Sequence, residues 1–164
     1  MLLVSPIAAG WFLVAAWLLV LRRFRHRLLA LWLVALPGVI LHELAHWLMA
    51  TITMGRPDPP GLLPKRLSPG VWSLGRVPVR NIRWWNGAFI GLAPLLLAPL
   101  AFFILRYGIP SRYAWSSVWR FLPFPFLAAE CLMECLPSPP DRRIALASLP
   151  FLLVAGWLAW LFWR

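Results

Sequence analysis

Within an unbroken apolar run, Val39-Ile40-Leu41-His42-Glu43-Leu44-Ala45-His46-Trp47-Leu48-Met49, three side chains could do chemistry. The pattern is His-Glu-x-x-His. On an α-helix four residues turn through about 400°, so His42 and His46 stack one turn apart on one face, with Glu43 beside them. That spacing suits two zinc ligands and a general base. The apolar setting adds weight, because a charged group at a bilayer centre costs roughly 2.5–3.5 kcal/mol unless it is paired or bound.

The elements that must carry these residues are membrane helices. Hydrophobic residues make up 62% of the 164 positions and charged residues 13%, and the mean hydropathy is +0.76. Too little polar surface remains to coat a soluble globule, so an all-α integral membrane domain is expected over residues 1–164. The net charge of +11 comes from sixteen Lys and Arg against five acids. Those basic residues flank apolar stretches, where they meet headgroups and the lipid bilayer rather than nucleic acid. Cys131 and Cys135 stand four apart in an apolar stretch and fit packing residues better than a redox pair.

Taken in order, the chain is expected to form about five transmembrane helices, at 2–21, 28–54, 87–105, 119–136 and 144–163. The first ends at the basic run Arg22–Arg27, which includes His26. Charge following the apolar core reverses the signal-peptide order, so a retained span is expected. Pro37 predicts a kink five residues before His42. Residues 56–86 form a polar connection rich in Pro, Gly and Arg, in which Val71–Val79 suggests a short β-hairpin or an interfacial loop. Trp84 and Trp85 mark a headgroup boundary. Gly91, Pro94 and Pro99 punctuate the third span, and small residues there allow close helix packing. Arg106, Arg112 and Arg120 surround the connection to the fourth. With five spans the basic residues divide evenly between the two faces, so the positive-inside rule assigns no orientation.

Of the five acids, Glu43, Glu130 and Glu134 fall within expected spans and Asp141 ends one. Three unpaired carboxylates at that depth would cost on the order of 8–10 kcal/mol, comparable to a domain's whole stability. They must be protonated, paired or gathered round a cation. Glu130 and Glu134, four apart, fit a protonated or ion-paired couple facing the helix-bundle interior.

His42-Glu43-x-x-His46 in a membrane helix, followed by Pro137-Ser138-x-x-Asp141, resembles the site-2 protease family of intramembrane zinc metalloproteases, and its compact members above all. The resemblance covers about residues 28–145. It implies His42, His46 and Asp141 as Zn2+ ligands, Glu43 as the base, and a catalytic core with a β element between its first two helices, the place of residues 71–80. Many members carry Asn-x-x-Pro before the ligand Asp and Gly after it. Here Glu134 precedes Cys135-Leu136-Pro137 and Arg142 follows Asp141. As an acid within an expected span, Glu134 is the rival third ligand. Asn81 and Asn86 are the chain's two asparagines.

The implied function is hydrolysis of peptide bonds in membrane-spanning protein substrates, in a multi-pass protein of a bacterial-type cell membrane. Three protein ligands leave zinc a fourth position for water, whose pKa falls to about 7, and Glu43 would take its proton. An unwound substrate could pair with the edge of residues 71–80, with water entering near Pro37 and Pro137–Pro140. The alternative is a non-catalytic scaffold of the same fold, an accessory subunit of a membrane complex. Haem ligation is disfavoured, because His42 and His46 on one helix cannot reach opposite faces of one haem.

Overall fold

A computed structural model describes residues 6–24, 28–68, 71–110 and 119–164. The helices are α1 (Pro6–Phe24), α2 (Leu28–Ile52), α3 (Gly87–Leu92), α4 (Leu97–Gly108), α5 (Pro123–Glu134) and α6 (Pro139–Trp163); β1 (Lys65–Ser68) and β2 (Val71–Ser73) lie between α2 and α3. The protein is mostly helical, with one small hairpin. Among the described residues, three stretches are long and apolar enough to cross a membrane: Trp32–Ile52, Gly87–Gly108 and Pro139–Trp163.

Among the described residues, three candidate spans stand where five were expected. The expected fourth, 119–136, contains only the 12 residues of α5. At 1.5 Å per residue these rise about 18 Å, short of a hydrocarbon core of about 30 Å. Pro123 and Pro125 start that helix late, and Pro137 ends it early by biasing Leu136 away from helical backbone. The expected first span, 2–21, falls on α1, which is not among the three stretches; residues 2–5, like Arg25, His26, Arg27 and Arg112, lie outside the described residues. The last span begins five residues before the expected Ile144, because Pro139 and Pro140 occupy the first helical turn, where a missing N–H is harmless.

The chain divides into two compact units, Met1–His42 with Leu96–Cys135, and Glu43–Leu95 with Leu136–Arg164. One dividing point lies inside the unbroken helix α2, between His42 and Glu43. In the first unit α1, α4 and α5 enclose a core of Val14, Leu97, Ala101, Leu105, Ile109, Ala128, Ala129 and Cys131. Trp17 packs edge-on against Phe126, with ring centroids 4.9 Å apart. Three of these eight residues are alanines, whose short side chains let helices approach closely where lipid offers no hydrophobic drive.

In the second unit α3 lies against α6. A Cβ on Gly87 would overlap the Ser148 Oγ, and one on Gly91 would overlap the Asp141 carbonyl oxygen. This Gly-x-x-x-Gly pair therefore sets the close approach. Pro94 has no N–H to offer the Ile90 carbonyl, so α3 gives way to a 3-10 turn, Ala93–Leu96, before α4 begins.

The hairpin is present, but its first strand lies upstream of the stretch the sequence suggested. β1 pairs antiparallel with β2 in the register Lys65↔Ser73, Arg66↔Trp72, Ser68↔Val71. Val79 and Arg76 instead bridge Pro57 and Gly61. Gly75 and Pro78 interrupt alternation within residues 71–80, so that stretch cannot serve as one continuous strand.

Candidate metal centre

The site starts from α2. His42, Glu43 and His46 are 8%, 6% and 6% exposed, so any ring nitrogen left unbonded here would go unsolvated. The His42 Nδ1 lies 2.7 Å from the Glu134 carbonyl oxygen, and the His46 Nδ1 lies 2.8 Å from the Ile90 carbonyl oxygen. A carbonyl only accepts, so in each ring Nδ1 carries a proton and Nε2 is the nitrogen turned toward a metal. That is the arrangement a metal-binding imidazole needs, with its orientation set from behind.

Both carbonyls are available because proline or a helix end has removed their ordinary donors. Pro94 cannot donate to Ile90, whose carbonyl accepts instead from the Ala93 N–H and from His46. Glu134 is the last residue of α5. Its helical donor would be the Ser138 N–H, which points to Asp141 Oδ2 at 2.8 Å. Helix termini leave such carbonyls unsatisfied, and here one is taken up by an imidazole.

Asp141 comes from the first turn of α6. Ser138 caps that helix, with its side chain accepting from the Asp141 N–H and the Asp141 carboxylate accepting from the Ser138 N–H and Oγ–H, a reciprocal capping box. The carboxylate is thereby fixed at the positive end of the helix, where negative charge is favoured. Its Oδ2 is 3.3 Å from His46 Nε2. One ligand atom from each of His42, His46 and Asp141 lies within 4.8 Å of the others. Among the described residues these form the one group of three or more His, Cys, Asp or Glu side chains with metal-binding geometry.

The donor set fits a divalent transition metal. Two imidazoles and one carboxylate make a three-ligand complement, the number that catalytic zinc sites use while leaving a position open. The structure brings His42, His46 and Asp141, the three residues named from the sequence, close enough together to hold one ion. Glu43 is buried on the same helix, and lies outside the three-residue group. Glu134 contributes its backbone carbonyl to His42, and its carboxylate is absent from the group.

Three contributors were not foreseen. Ser138, which fixes Asp141, could have been found from Ser-x-x-Asp at a helix start. The Ile90 and Glu134 carbonyls had weaker signals, prolines three or four residues downstream. Asn86 and Asn81 are structural. Asn86 is fully buried, donates from Nδ2 to the Thr53 and Asn81 carbonyls, and accepts from the Arg83 N–H. Asn81 donates to the Met54 carbonyl at 3.0 Å. Together they fasten the end of α2 to the segment leading into α3.

Compared with protein-family models, with curated proteins and with solved structures, the chain matches none.

Proposed function

We propose that this protein is an intramembrane zinc metalloprotease of the site-2 protease type, cleaving membrane-embedded protein substrates. The observation that carries the reading is the convergence of His42, His46 and Asp141, with both imidazoles presenting Nε2. His42 and His46 would hold the ion from α2 and Asp141 from α6. Zinc, when bound, supplies Lewis acidity that makes water nucleophilic near neutral pH.

The chain's own groups do the remaining work. Glu43, next to His42, accepts the proton of the attacking water on a carboxylate oxygen and returns it to the leaving amine. The carbonyls of Ile90 and Glu134 keep the rings from turning, and the Ser138 cap keeps Asp141 from swinging away. The outer edges of the β1–β2 hairpin offer backbone partners for an unwound substrate segment.

The test uses purified full chain in lipid nanodiscs. Metal analysis should give one zinc per chain, and Asp141→Ala should lose it. A wild-type protein that retains no divalent metal under zinc-replete purification ends the metalloprotease reading.

A second reading is a non-catalytic scaffold in a membrane complex. It draws on the capping box, which already occupies Asp141 Oδ2 and needs no ion. Glu43→Gln separates the two, because the scaffold is indifferent to it and the enzyme loses turnover.

A further inference from the structure

Between α2 and α3 the chain builds a second polar site, apart from the metal ligands. Residues 53–58 and 78–86 are cross-linked by the backbone bonds Asp58 N–H to Pro78 O (2.8 Å), Asn81 N–H to Gly55 O (2.8 Å) and Arg80 N–H to Arg56 O (3.3 Å). The two asparagines reinforce the join. Met54 and Arg56 are held at φ of 56° and 55°, a conformation that costs side-chain-bearing residues of order 1–3 kcal/mol each and persists only where the surroundings impose it. The segment is thus firmly built.

It encloses a recess of about 520 Å3 lined by Arg56, Pro57, Asp58, Arg80, Asn81 and Arg83. That size suits a small-molecule headgroup. Three arginines and one aspartate are among the lining residues. Asp58 is committed to Arg80, with Oδ1 2.5 Å from Nη2, and that pairing holds the Arg80 pKa above its already high value. Arg83 donates from Nε to Asn81 Oδ1 at 3.0 Å, which aims the guanidinium and leaves its Nη groups for a ligand. Among the described residues Arg56 forms no ion pair.

We propose that this recess binds the phosphate of an anionic phospholipid headgroup, held by Arg56 and Arg83. Arginine forks match phosphate oxygens in pairs, and the two cations left over after the Asp58–Arg80 pair would otherwise repel each other. The location selects lipid over free phosphate. The recess lies just past the end of one apolar stretch, Trp32–Ile52, and just before the start of another, Gly87–Gly108. Met54, Ile82 and Trp84, neighbours of its lining residues in the chain, are 75%, 42% and 56% exposed. A diacyl lipid would cover such side chains, whereas inorganic phosphate has no use for them.

The test reconstitutes the full chain in phosphatidylcholine nanodiscs with and without one part in three of phosphatidylglycerol, and counts retained lipid by native mass spectrometry after mild detergent release. Preferential retention of phosphatidylglycerol is expected. Arg56→Gln should lower it about fivefold, and Arg56→Gln with Arg83→Gln about thirtyfold, while Arg56→Lys, which keeps the charge but loses the fork, should lower it less than Arg56→Gln. Arg106→Gln, an exposed cation on α4 far along the chain, should leave it unchanged. Because the Arg56 side chain bonds to nothing described in the protein, the single variant keeps the fold and decides the matter alone. Equal retention of the two lipids, or equal loss in Arg106→Gln, overturns the site. Full displacement by millimolar inorganic phosphate overturns the lipid assignment in favour of free phosphate.

Discussion

Two carboxylates in this protein sit in apolar surroundings and are treated in opposite ways. In the second unit Asp141 accepts from the Ser138 backbone and hydroxyl and faces His46 Nε2. In the first unit Glu130 is fully buried, with Oε1 accepting from Trp17 Nε1 at 3.3 Å and Oε2 without a hydrogen-bond partner among the described residues. Gly38 makes room for it, since a Cβ there would come within 2.9 Å of Glu130 Oε2 and of the Glu134 Cγ. Buried carboxylates are tolerated when neutral or when fully engaged. The first unit uses a packing notch with one donor. The second unit uses a helix cap and an imidazole, which orient the carboxylate without using up its metal-binding capacity. Burial of an acid alone therefore does not mark a site; a carboxylate held by a helix cap and set against an imidazole does.

The contrast can be broken at the chemistry first. Glu43→Gln should reduce peptide hydrolysis by about 10²–10⁴-fold, the range for loss of a general base, while zinc content stays at that of the wild type. Single-turnover cleavage of a membrane-spanning peptide measures this; unchanged cleavage would remove Glu43 from the mechanism. Ser138→Ala strips the cap from Asp141. It should weaken zinc binding by about 10–100-fold and also destabilise the helix start by about 0.5–2 kcal/mol. Competition with a chelator of known affinity reads the first effect.

Changes in the first unit sharpen the comparison from the other side. Gly38→Ala forces the Glu130 and Glu134 side chains to shift and should destabilise by about 1–3 kcal/mol, seen as a lower denaturation midpoint in detergent. Its zinc affinity should fall less than that of Ser138→Ala. Glu130→Gln keeps the acceptor for Trp17 and removes any charge, so the stability change should stay within about 1 kcal/mol. A loss of zinc in Glu130→Gln as large as in Asp141→Ala would mean that both acids serve one site.

Much of the centre was legible from residue type and spacing. His42, Glu43 and His46 share a helix, and helical periodicity is a local property that any apolar run of this length expresses. The membrane class follows from composition, because too few polar side chains exist to cover a soluble surface. The hairpin was also visible, though its register was not, since Lys65 and Arg66 carry little strand propensity and pair through contacts made across a turn.

Helix lengths and ligand partners were not legible, because both depend on where prolines sit relative to distant acceptors. Apolar composition over 119–136 reads as a span, yet Pro123, Pro125 and Pro137 confine the helix to 12 residues. Pro94 and Pro137 look like interruptions in the sequence. Folding gives them a purpose, since the carbonyls left exposed at Ile90 and Glu134 reach His46 and His42 across 44 and 92 residues. Local rules say which donors a break removes; only packing says which imidazole arrives to replace them.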